Sequence, residues 1–97
     1  MDLTQFKETL SETQPPAGLS KALEALWRAA KGDWDGAHGL PQQGSGADSA
    51  WVHAYLHRVE GDLGNAAYWY RRAAQDVCGD GLADEWDAIA AALLKKT

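Results

Sequence analysis

The segment Trp51 to Ala74, WVHAYLHRVEGDLGNAAYWYRRAA, constrains the fold more than any other stretch of the chain. Apolar residues recur at helical spacing on both sides of Gly61-Asp62, which predicts two helices joined by a turn so short that the second must double back on the first. Glycine tolerates the left-handed backbone of such a turn, and the aspartate accepts the free N–H groups of the helix that follows. Gly32-Asp33 repeats the device. A shift of 29 residues aligns Gly32-Asp33 with Gly61-Asp62 and Ala37 with Ala66. The same shift places Leu23 on Val52, Leu26 on Tyr55, Trp27 on Leu56 and Ala30 on Val59. Two helical hairpins with equivalent core positions follow, over about 17–40 and 48–77.

The rest of the chain supplies helices to pack against them. Leu3, Phe6 and Leu10 predict a short amphipathic helix over Asp2 to Thr9, ended by Gln14-Pro15-Pro16. The first helix of the first hairpin starts near Pro16 and runs to Lys31, with Leu19, Ala22, Leu23, Leu26, Trp27 and Ala30 as its apolar face. Its partner starts at Asp33 and is closed by Pro41. Gln42 to Asp48, QQGSGAD, reads as a flexible loop. The next helix spans Asp48 or Ser49 to Glu60, lined by Val52, Tyr55, Leu56 and Val59. The one after it covers Leu63 to about Val77 and turns Ala66, Trp69, Tyr70, Ala73 and Val77 inward. A last helix, about 82–95, buries Leu82, Trp86, Ile89, Ala90 and Leu93 and caps the hairpins. Its acidic start and basic end suit the helix dipole. Strand signals are absent, so the fold class is all-α, five to six short helices in a single domain over 1–97.

Composition limits the partners. The net charge of −5 carries no basic block, which disfavours nucleic acid and an anionic membrane surface. No apolar run approaches the roughly 20 residues of a membrane span, and the N-terminus has no signal-peptide pattern. Cys78 stands alone, which fits a reducing compartment. The expectation is a cytoplasmic protein.

The second hairpin resembles tetratricopeptide and Sel1-like helical repeats. Their pattern G-D-x-x-x-A-x-x-x-[FY]-x-x-A is met by Gly61, Asp62, Ala66, Tyr70 and Ala73. The first copy meets it only at Gly32, Asp33 and Ala37. The resemblance implies protein or peptide binding. The longer string HAYLHRVEGDLGNAAYWYRRA is similar to a family of small uncharacterised microbial proteins, which implies no activity.

Several residues invite chemistry. His53, His57 and Glu60 share one side of a helix, and two imidazoles one turn apart are a transition-metal pair with Glu60 as a third ligand. Asp35 and His38 complete such a site if their helix packs alongside. The commoner role of such a pair is structural, at a helix–helix seam. No motif calls for a cofactor, and a transition metal at His53 and His57 is the one exception. Asp76, Asp80, Gly81, Asp84 and Asp87 fall on a calcium-loop spacing. Cys78 in the third position is a poor ligand for a hard cation, so an acidic helix start is the better reading. Tyr68, Arg71 and Arg72 flank the core positions Trp69 and Tyr70. Arg72 can pair with a carboxylate or cover an aromatic ring. Trp51, Tyr55 and Arg58 share the side of their helix where a repeat fold has its concave surface, and their types dominate interface hot spots. The last helix competes for the same side.

No nucleophile elbow, phosphate loop or dinucleotide fingerprint occurs. The leading expectation is a non-enzymatic protein- or peptide-interaction module, self-association included, contacting its partner through Trp51, Tyr55 and Arg58. The alternative is a small-molecule- or metal-binding protein or enzyme with its site around His53 and His57.

Overall fold

A computed structural model describes residues 1–43 and 46–96, and over 40–43 the backbone alone. Among the described residues six α-helices follow one another: α1 (Leu3–Glu8), α2 (Lys21–Ala30), α3 (Trp34–Gln43), α4 (Ala47–Val59), α5 (Leu63–Arg72) and α6 (Leu82–Leu94). A single 3₁₀ turn, Thr9–Ser11, extends α1. Among the described residues there is no strand, and the fold is all-α. No helix among them is long and apolar enough to cross a membrane. Part of the loop expected at Gln42 to Asp48, residues 44–45, lies outside the described residues.

The two Gly-Asp turns are built alike. Gly32 and Gly61 have φ of 82° and 80°. The Gly32 N–H donates to the Ala29 carbonyl at 3.1 Å and the Asp33 N–H to that of Arg28 at 2.9 Å. The Gly61 and Asp62 N–H groups donate to Arg58 at 3.0 Å and His57 at 3.0 Å, each position shifted by 29. This is the paired closure that a left-handed residue after a helix permits. Each aspartate then caps the next helix, Asp33 Oδ1 accepting from Gly36 N at 3.1 Å and Asp62 Oδ1 from Asn65 N at 3.3 Å. Ala37 and Ala66 are buried where the helices of each hairpin cross.

Three boundaries differ from the sequence reading, each for a local reason. Helix α2 begins at Lys21, because Gly18 turns the chain with φ +83° and the Ser20 hydroxyl caps the Leu23 N–H at 3.2 Å. Ala30 at its end is exposed. Helix α3 continues past Pro41 to Gln43, since a proline in a final turn removes only one backbone donor. Helix α5 stops at Arg72, five residues before the expected end. Ala74 adopts φ +58°, and the Ala74 and Gln75 N–H groups close on Arg71 and Tyr70. Val77 is therefore 65% exposed rather than buried, and Leu82, at the first residue of α6, is 40% exposed.

The core lies between α2, α4 and α6, with α1 laid across α6. Leu23, Leu26, Trp27, Val52, Leu56, Ile89 and Leu93 form its buried centre. Phe6 on α1 is fully buried and stacks on Trp86 at 5.7 Å. The Trp86 indole N–H donates to the Leu26 carbonyl at 2.8 Å, which satisfies a buried donor and ties α6 to α2. Lys7–Asp87 at 2.9 Å and Lys96–Asp48 at 2.7 Å pin α6 at its middle and end.

Candidate functional site

Helix α6 decides what α4 presents. Tyr55 is buried in the core at 8% exposure, and burial raises its phenol pKa. Arg58 turns under α6, its Nη1 donating to Glu85 Oε1 at 2.7 Å and its Nη2 to the Asp80 carbonyl. Trp51 is half-buried, packed against the core and against a second buried group, Ala54, Ala66 and Tyr70, between α4 and α5. The open surface expected of Trp51, Tyr55 and Arg58 is thus largely covered.

The second candidate set converges. His53 is 7% exposed, and its ring is sandwiched between Trp69 at 4.0 Å and His57 at 4.9 Å, with interplanar angles of 16° and 9°. The Arg72 guanidinium lies 5.1 Å from the Trp69 ring centroid. Arg72 also lies 5.8 Å over Tyr68 and donates to the Tyr68 hydroxyl at 3.1 Å. The result is a continuous row, Arg72–Trp69–His53–His57, with Tyr68 edge-on to Trp69 at 5.3 Å. Arg71 points outward and is exposed. Burial, then the neighbouring His57 and His38, push the His53 pKa down to about 4, so its ring is neutral in the stack at physiological pH.

This geometry removes the expected His53–His57 metal pair. A metal ion lies in the plane of each imidazole that binds it, and two nearly parallel stacked rings share no such point. His53 is part of the seam between α4 and α5, its flat ring stacked on Trp69 and His57.

Where the row ends at His57, polar groups from both hairpins meet. His38 on α3 places Nδ1 2.8 Å from the Trp34 carbonyl oxygen and Nε2 2.6 Å from Glu60 Oε1. His57 Nδ1 is 4.0 Å from the same Glu60 oxygen and 3.9 Å from Asp62 Oδ2. Burial would lower the His38 pKa, but the Trp34 carbonyl and the Glu60 carboxylate outweigh it and hold the ring above its usual value. Asp35 is exposed and adds charge nearby rather than a contact. Among the described residues, no group of three or more His, Cys, Asp or Glu side chains is placed to hold a metal ion.

Glu85 escapes the sequence reading, which sees it only as a dipole partner at a helix start. It is 3% exposed, accepts from Arg58 and from the Tyr70 hydroxyl, and so joins α6 to α4 and α5. Burial and then the Glu85 hydrogen bond push the Tyr70 pKa up. A signal was present: Glu85 precedes Ile89 by four residues and Leu93 by eight, which puts it on the buried stripe. Beside it opens a groove of about 300 Å³ walled by Trp51, Val77, Cys78 and Ala88. Of the calcium-loop aspartates, Asp76 and Asp80 line this groove, Asp84 does not, and Asp87 is paired with Lys7.

No family model matches the chain, and no curated protein or solved structure is significantly similar to it.

Proposed function

We propose that the protein is a non-enzymatic interaction module that recognises a partner protein or peptide, a second copy of itself included, through the aromatic row on α4 and α5. The observation that supports this most is the composition and exposure of the row's outer end. Tyr68 is 44% exposed, Trp69 is half-buried, and the Arg72 guanidinium lies 5.8 Å and 5.1 Å from their ring centroids. Tyrosine, tryptophan and arginine supply most of the energy at protein interfaces, and rings already stacked lose little freedom on binding. The likeness of the hairpins to tetratricopeptide repeats supports the same reading.

Sedimentation of the purified protein and affinity capture from its native lysate test it. The double variant Tyr68→Ala with Arg72→Glu keeps its helical circular dichroism, because both side chains are on the surface, and is expected to lose the captured partner or the self-association. Unchanged capture and unchanged sedimentation in that variant would remove the reading. The second reading, a metal- or small-molecule-binding protein, has one observation in its favour, the meeting of His38, His57 and Glu60.

A further inference from the structure

The polar cluster between the hairpins contains a hydrogen-bonding conflict. His38 Nδ1 faces the Trp34 carbonyl at 2.8 Å and Nε2 faces the Glu60 carboxylate at 2.6 Å, and both neighbours only accept. A neutral imidazole has one N–H. With Nδ1 donating to the carbonyl, Nε2 turns a lone pair toward a carboxylate oxygen at contact distance. A cation resolves this, either a second proton on the ring or a metal ion between the two groups.

We propose that the cluster is a site for a divalent transition metal, bound by His38 Nε2, Glu60 and His57 Nδ1, with Asp62 as fourth ligand. Three of the six ligand separations can be compared with what such an ion imposes. Tetrahedral bonds of about 2.0–2.1 Å keep ligand atoms roughly 3.3 Å apart. The separations here are 2.6 Å (His38–Glu60), 4.0 Å (His57–Glu60) and 3.9 Å (His57–Asp62). Each lies within about 0.7 Å of that value. The four side chains are 19% to 49% exposed, so small rotations can close the site.

The surroundings are those of a metal-binding histidine. The Trp34 carbonyl fixes the His38 tautomer that leaves Nε2 free to bind, the role an outer hydrogen bond plays around metal-bound imidazoles. The His53 ring stacks on His57 at 4.9 Å and orients it. Two imidazoles with carboxylates suit zinc and its neighbours in the transition series, whereas calcium and magnesium prefer oxygen alone. The ligands come from α3, from α4 and from the turn before α5, so the ion would fasten one hairpin to the other. The proposal does not depend on the aromatic row's binding a partner.

The test uses full-length protein prepared without metal-affinity chromatography and stripped with EDTA. It is titrated at neutral pH with ZnCl2 by calorimetry and with CoCl2 by visible absorbance. The expected results are one ion per chain, a cobalt band of tetrahedral intensity and a raised melting temperature. His38→Gln and His57→Gln are each expected to weaken binding by at least about tenfold with the helical circular dichroism retained. Cys78→Ser, outside the cluster, is expected to bind like the wild type. Absence of saturable zinc binding by the stripped wild type overturns the proposal and assigns the cation at His38 to a proton. Equal affinity in both histidine variants overturns it too, by placing the ion elsewhere.

Discussion

Glu85 holds a carboxylate in a nearly closed position, and the two groups that neutralise its polarity come from different helices. Removing one member of such a network leaves the others desolvated and unpaired. Glu85→Ala is therefore expected to cost about 3 kcal/mol or more by urea denaturation, because Arg58 stays charged at 16% side-chain exposure. Replacing the set together, Glu85→Leu with Arg58→Met and Tyr70→Phe, is expected to cost much less. Equal losses in the single and triple variants would show that the network stabilises the fold outright rather than selecting one arrangement. At this scale the sequence was only partly legible. His53 looked like a ligand because a histidine at an apolar position is conspicuous, yet Trp69 supplies the flat partner that explains it. The His38–Glu60 pairing was readable only as conditional on how α3 packs.

The helices themselves were legible where glycine and aspartate mark them. Both hairpin turns fall on the predicted residues and share their backbone bonds. Ends without such markers were not: Ala74 takes a left-handed conformation that disfavours most side chains, so nothing in the composition announces the end of α5. The cap at Asp33 has a measurable pH signature. The Gly36 N–H, and next the Arg28 guanidinium, hold its carboxyl below the usual 3.8. A lowered carboxyl pKa contributes stability that is present above the unfolded value and is lost as pH falls through the folded one. Asp33→Asn keeps an acceptor for Gly36 but no charge. Its melting temperature is expected to lie below that of the wild type at neutral pH, with the gap closing under strong acid. A gap that does not change with pH would assign the cap to hydrogen-bond geometry alone.

Across the molecule, stability converges on α6. Trp86 touches α1 through Phe6 and α2 through the Leu26 carbonyl, so it is the hub between the first helix and the hairpins. Trp86→Ala is expected to cost about 3–5 kcal/mol. Domains are stable by only about 5–15 kcal/mol. The variant should therefore unfold at much lower urea, with α1 losing its helical signal first; an unshifted midpoint would place the hub elsewhere. Periodicity revealed that α6 has an apolar face but not which side of the hairpins that face would cover. That choice depends on volumes in three dimensions, and it decided that Tyr55 and Arg58 are covered.

Turns that close through glycine, aspartate and backbone atoms have a consequence for how such a chain can change over time. Gly61 and Asp62 need nothing from Tyr68, Trp69 or Arg72, and Gly32 and Asp33 need nothing from Trp34 or His38. Shape and surface are inherited through separate letters of the sequence. A duplicated hairpin is then free to diverge, with one copy acquiring new rings and charges while both keep their bend.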